Sequence, residues 1–159
     1  MEIPVTAAWY QYLDPCQRAL IDTSLRLLDK KQELAGLPDY SFLVFPMAKT
    51  YEGFLKQIFF DLGLIDRQTF EGRRFRIGRA LNPDIRNHQR DEDWLYDDVV
   101  RAFGEPIARD LWNVWLECRN HVFHYFPDCK QSVSWSVAEA KLTMMIDAME
   151  AATTALRER

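Results

Sequence analysis

Histidine and cysteine are scarce in this chain, three of each, and neither is grouped. Cys16, Cys118 and Cys129 are widely spaced and odd in number, with no C-x-x-C and no Cys/His cluster, so neither a zinc site nor a disulfide framework is expected. Apolar runs stay short of the roughly 18 residues that signal a membrane-spanning helix, and the N-terminus lacks a basic region followed by an apolar stretch. These absences predict a protein that uses no metal, cofactor or membrane and works in the cytoplasm with reduced thiols. Net charge is only −4, which argues against broad, salt-driven coating of nucleic acid but leaves room for a local basic groove. Six glycines and seven prolines are dispersed as punctuation, and no repeat, low-complexity tract or Gly/Ser linker divides the chain.

Apolar residues make up 48% and charged residues 28% of the 159, enough to bury a core in one domain spanning 1–159. The apolar spacing is helical throughout. Asp14 as N-cap and Pro15 at the first helical position open a helix carrying Leu20, Ile21, Ser24, Leu25, Leu27 and Leu28, ended by Gly36 and Pro38. A second runs from about 46 to 62, with Ala48, Tyr51, Leu55, Ile58, Phe59 and Leu62 on one face and Gly63 as its stop. Residues 64–91 are less regular. A short helix over about 93–103 precedes a break at Gly104-Glu105-Pro106 and a Trp-rich helix over about 106–125, closed by Phe126-Pro127. The last helix takes Ser136 as N-cap with Glu139 three residues on, and buries Met145, Ala148, Ala152 and Leu156. No segment alternates as a strand does. The reading is an all-α bundle of about five helices.

Charge is unevenly placed. Residues 67–90 hold seven arginines (Arg67, Arg73, Arg74, Arg76, Arg79, Arg86 and Arg90) against Glu71 and Asp84, and residues 91–110 hold seven acids against Arg101 and Arg109. Either the two blocks pair with each other, or arginines such as Arg73, Arg74, Arg76 and Arg79 line a phosphate-binding surface.

Near the end of the Trp-rich helix stands Arg119-Asn120-His121-Val122-Phe123-His124. An arginine fork can stabilise charge on a phosphate, and a histidine moves protons near neutral pH, which together suffice for phosphodiester cleavage without a metal. On a regular helix positions five apart lie about 140° apart, so one copy of Arg119 and His124 makes a loose site, whereas two copies across a two-fold axis can converge on one phosphate. Asn120, four before His124, shares its face. His121 is either a second proton donor or a bystander, and His88 reads as a loop residue. Trp112 and Trp115 read as core or dimer interface, and together with Phe123 and Tyr125 they offer apolar area for a two-fold contact.

The segment resembles the R-N-x-x-x-H signature of HEPN-superfamily ribonucleases. Phe45-Pro46-Met47-Ala48-Lys49-Thr50-Tyr51-Glu52-Gly53-Phe54-Leu55, Arg76-Ile77-Gly78 with Leu81-Asn82-Pro83, and Arg119-Asn120 with His124-Tyr125-Phe126-Pro127 narrow the likeness to the catalytic domain of RNase LS type toxins, over roughly residues 42–128. The resemblance implies a HEPN-like helical bundle that dimerises with its motif helices face to face. It implies an RNA substrate cut by its own 2′-OH, ends of 2′,3′-cyclic phosphate and 5′-OH, and a toxin or phage-defence role restrained by a cognate antitoxin. It implies Arg119 as the phosphate contact, His124 as general acid or base, Asn120 as an orienting group and Glu52 as the carboxylate supporting Arg119. The helical pattern leaves Glu52 a second partner, Lys56 at i+4. Two departures stand out. The chain has room for the catalytic domain alone, and Phe126 occupies the position where some relatives carry a tyrosine that the antitoxin modifies. The rival readings are a catalytically inactive HEPN-type binding or dimerisation module, and a helical protein without an RNA role.

Overall fold

The apolar stripes close on one another in an all-helical arrangement, seen in a computed structural model that describes residues 3–125, 127 and 131–159. In chain order the elements are α1 (Ala8–Tyr12), α2 (Pro15–Leu28), α3 (Ser41–Asp61), α4 (Arg67–Glu71), α5 (Ile77–Ala80), a 3₁₀ turn (Asn87–Gln89), α6 (Tyr96–Phe103), α7 (Glu105–Trp115), a π-helical turn (Leu116–Asn120), α8 (His121–Phe123) and α9 (Trp135–Arg157). There is no strand among the described residues. Five long or medium helices carry the bundle, and the short ones fill the connections. No described helix is long and apolar enough to cross a membrane.

Local chemistry sets several of the boundaries. Asp14 accepts from the Gln17 N–H at 2.8 Å while the Gln17 side chain accepts from the Asp14 N–H at 2.8 Å, a reciprocal cap that satisfies two otherwise orphaned donors. At the other end of α3, Gly63 adopts φ 70°, and the Gly63 and Leu64 N–H groups turn back onto the Phe60 and Phe59 carbonyls at 2.9 Å each. Gly104, at φ 85°, makes the sharp joint between α6 and α7 that only glycine accepts without strain.

Three boundaries differ from the sequence reading. Helix α2 stops at Leu28, well before Gly36, and a run of turns follows. Helix α3 begins five residues before Pro46, because Leu43 and Val44 are fully buried and hold the extra turn against the core. The cap of α9 is Ser134 and not Ser136: Ser134 Oγ accepts from the Val137 N–H at 3.3 Å, which lets Trp135 turn inward.

Helix α3 is the spine. It packs against α2 and α9, while α7 lies between α6 and α9 and α1 rests on α9. Tyr51, Phe54, Leu55, Ile58 and Phe59 of α3 meet Leu111 of α7 and Leu142 and Met145 of α9 in the core, all with at most 1% of their surface exposed. Burying each such side chain stabilises the fold by about 1.5–3 kcal/mol. Tyr51 also donates to the Leu111 carbonyl at 3.0 Å, tying α3 to α7 through a buried bond. Trp112 and Trp115 are 7% and 4% exposed, so they belong to this core and leave no area for a partner subunit.

Gly78 of α5 has a specific packing role. A Cβ built on it would stand 2.5 Å from Trp115 Nε1, so the absence of a side chain lets α5 lie against the indole one helical turn before Arg119. Gly78→Ala is therefore expected to destabilise the protein by about 1–3 kcal/mol, lowering Tm by several degrees in a thermal melt. An unchanged Tm would show that Trp115 can move aside.

Candidate functional site

The Trp-rich helix does not run unbroken to Tyr125. After Trp115 the chain widens into a π turn in which the His121 N–H reaches back five residues to the Leu116 carbonyl. The regular helix resumes only for His121–Phe123, and His124 is already extended (φ −91°, ψ 137°). One extra residue in a turn shifts the phase of everything after it by roughly 100°. The regular-helix estimate of the angle between Arg119 and His124 is thus replaced by an irregular path, and Asn120 and His124 are joined through the backbone, His124 N–H to Asn120 carbonyl at 3.2 Å. Phe126 and Cys129 lie outside the described residues.

What holds the π turn open is a distant side chain. Lys141 of α9 donates to the Glu117 carbonyl at 2.7 Å and lies 3.7 Å from the Glu117 carboxylate. Cys118 points inward beneath it, with Sγ 3.5 Å from the Lys141 carbonyl, and burial pushes its thiol up to about 12. A thiol held protonated in this way is no nucleophile.

Arg119 leaves the π turn with its guanidinium carbon 5.4 Å from the centre of the Trp115 ring, a cation–π contact that steers it toward α3. There Phe45, Ala48, Lys49 and Glu52, spaced i, i+3, i+4 and i+7, present one face of α3. These four residues with Arg119 and Phe123 enclose a cleft of about 100 Å³. Glu52 and Arg119, 67 positions apart in sequence, therefore face the same space. No ion pair closes between them within 4.0 Å among the described residues, and the alternative pairing is absent too: Lys56 donates instead to the Gly72 carbonyl at 2.8 Å. Lys49 was missed in the sequence reading, although its position three residues before Glu52 puts it on the same face. With Lys49 and Arg119 against Glu52, the cleft carries an excess of positive charge suited to a phosphate oxygen.

His124 is not in that cleft. It stands exposed on the wall of a second one, about 370 Å³, with Pro38, Asp39, Val122, Tyr125 and Ser132. Asp39 anchors this wall: it accepts from the Ser41 N–H at 2.7 Å and the Val133 N–H at 3.0 Å. Burial raises its carboxyl, but hydrogen bonding from the Ser41 side chain and from the Ser41 and Val133 N–H groups outweighs that and holds it below the usual carboxylate range. His121 lies three residues back. Its Nδ1 sits 3.1 Å from Glu117 on the wall of a third cleft that shares Val122 and Ser132 with the second. Asn120 lines none of the three.

The arginine block is split. Arg79 is held by Asp91 at 2.6 Å and by the Gln89 carbonyl at 2.7 Å, and the Arg79 guanidinium keeps the Asp91 carboxyl below its ordinary range. Arg67 pairs with Glu71 at 3.2 Å, and Arg90 lies over the Trp94 ring at 3.8 Å and reaches Asp97 at 3.9 Å. Arg73, Arg74 and Arg76 are exposed and make no ion pair among the described residues. Arg73 and Arg74 line a cleft of about 420 Å³, which is separate from the one holding Arg119. The pairing of the two blocks thus holds for Arg79 and Arg90, while Arg73, Arg74 and Arg76 stay open to solvent. Among the described residues no group of three or more His, Cys, Asp and Glu side chains is arranged to hold a metal.

Comparison with protein-family models, with curated proteins and with solved structures returned no match.

Proposed function

We propose that this chain is a metal-independent endoribonuclease of the HEPN kind, acting as a two-fold dimer in a toxin or phage-defence setting with an antitoxin as its restraint. The observation that carries the reading is the shared cleft of Glu52, Lys49 and Arg119. Two separate helices deliver a carboxylate and two cations to one small space, and the carboxylate is left without an ion-pair partner of its own among the described residues. A cleft of this size admits a phosphate group, not a whole nucleotide, since small-molecule pockets run to roughly 300–1,000 Å³.

The chemistry divides among named groups. Arg119 offers N–H donors to the non-bridging oxygens as negative charge grows on the phosphorus, with Lys49 adding field and Glu52 orienting the guanidinium. A histidine takes the proton from the 2′-OH, the 2′-oxygen bonds to phosphorus, and the bond to the 5′-oxygen breaks as that oxygen receives a proton. Because His124 and Arg119 of one chain stand on different clefts, a second copy supplies the histidine. The edge-to-face pair of Phe45 (52% exposed) and half-buried Phe123, centroids 5.5 Å apart, with Tyr125 (83% exposed) forms the contact face. The separation of Arg119 from His124 is also what favours the second reading, a binding or dimerisation module without activity. Incubating the purified protein with labelled RNA in EDTA separates the two: cleavage is expected for the nuclease, and intact RNA for the module.

A further inference from the structure

We infer that the 420 Å³ cleft between α4 and the segment entering α6 is a subsite for one unpaired RNA nucleotide, selective for guanine. The inference rests on the reading of this chain as an RNA-acting protein and assigns it a sequence preference.

Three observations lead there. The first is size: this cleft falls within the range that admits a nucleoside with its phosphate, unlike the 100 Å³ space at Arg119. The second is unspent charge. Arg67, Arg79 and Arg90 each have an acidic partner, yet Arg73 and Arg74 have none among the described residues, although Asp93 lines the same cleft. Charges of both signs therefore face one space without neutralising each other, which suits a ligand carrying both an anion and hydrogen-bond donors. The third is position. Lys56 holds the Gly72 carbonyl on the wall of this cleft, and Glu52, one turn earlier on α3, lines the cleft of Arg119. Glu52 and Lys56 are about 6 Å apart along the helix axis, so a strand with its scissile phosphate at Arg119 passes this subsite with a nearby nucleotide.

The donor and acceptor pattern selects the base. Arg73 and Arg74 present guanidinium forks to the phosphate. Asp93 presents two adjacent acceptor oxygens. Guanine carries two adjacent donors, N1–H and the N2 amino group, on its Watson–Crick edge. Adenine and cytosine place an acceptor nitrogen beside their amino group, and uracil sets its one N–H between carbonyls. Gln68, which can donate to the guanine O6, and the aromatic wall of Phe75 complete the site.

The test is equilibrium binding, by fluorescence anisotropy, of adenosine hexamers carrying one central guanosine, one central inosine or neither. All are 2′-fluoro RNA, which lacks the nucleophile and cannot be cleaved. The guanosine hexamer is expected to bind about ten- to a hundredfold more tightly than the all-adenosine one, with inosine, which lacks the N2 amino group, in between. Asp93→Asn should erase the difference. The double variant Arg73→Ala/Arg74→Ala should weaken all three alike and flatten the salt dependence by about 0.7 in slope, the value for one neutralised phosphate. Equal binding of the three hexamers, or discrimination that survives Asp93→Asn, overturns the inference. Because the RNA is uncleavable, a protein inactive as a nuclease can still pass this test, and an active nuclease can still fail it.

Discussion

Alanine at Arg119 or at His124 is expected to lower RNA cleavage by about two to four orders of magnitude while leaving the helical circular dichroism unchanged. Removing one contact that stabilises developing negative charge, or one general acid–base group, typically costs that much. The fold does not depend on either side chain. Arg119 is half-buried over the Trp115 ring and lies outside the apolar core, and His124 is exposed beyond the last helical residue. Arg119→Lys keeps the charge but loses the planar fork, so it should restore only part of the activity. Glu52→Ala should lower the rate by a smaller factor, since Glu52 acts through Arg119. Cleavage that survives both alanine substitutions in folded protein would place the chemistry elsewhere on the chain.

Mixing the two inactive variants should bring activity back. If each site takes Arg119 from one subunit and His124 from its partner, subunit exchange between Arg119→Ala and His124→Ala makes half of the dimers mixed. Each mixed dimer keeps one intact site of two, so about a quarter of wild-type activity is expected. This follows from the geometry of a single chain, in which the two side chains line separate clefts. Phe45→Asp should abolish the recovery, because it sets a charge on the exposed member of the aromatic pair proposed to form the contact. A mixture that stays inactive despite demonstrated exchange, or a wild type that sediments as a monomer at working concentration, contradicts the composite site.

How far the sequence could be read depended on how local each determinant is. The Asp14 and Pro15 start of α2 was legible because its determinants lie within a few residues of one another, and the structure adds Gln17 as the reciprocal partner. Pro46 misled because proline usually marks a first turn, and only the burial of Leu43 and Val44 against the rest of the fold shows that α3 starts earlier. Ser136, with Glu139 three residues on, is the stronger cap in isolation, and the inward turn of Trp135 decides for Ser134. The π turn had no local signal. Its supporting donor, Lys141, stands 24 positions away from Glu117, and without that turn the Trp-rich segment reads as one regular helix.

The candidate site shows the same division. The expectation that Glu52 supports Arg119 came from a motif resemblance, and the structure shows the two lining one cleft without an ion pair within 4.0 Å. Lys49, three residues before Glu52, is legible from helical spacing as its same-face neighbour. The separation of His124 from Arg119 depends on the π turn and has no local signal, whereas the contact of His121 with Glu117 is an i, i+4 pair that helical spacing offers directly. For the arginine block, sequence gave the cluster but not the partition. Which guanidinium meets Asp91 and which stays open is set by how the segment 72–95 folds back on itself, with the Leu95 N–H bonded to the Ala80 carbonyl at 2.9 Å.

The measurement closest to the central claim is end-group analysis of RNA incubated with the wild-type protein in EDTA. Attack by the 2′-oxygen at Arg119 predicts fragments ending in a 2′,3′-cyclic phosphate, each followed by a fragment with a 5′-OH. A requirement for added Mg²⁺, or fragments bearing a 3′-OH and a 5′-phosphate, would contradict the account.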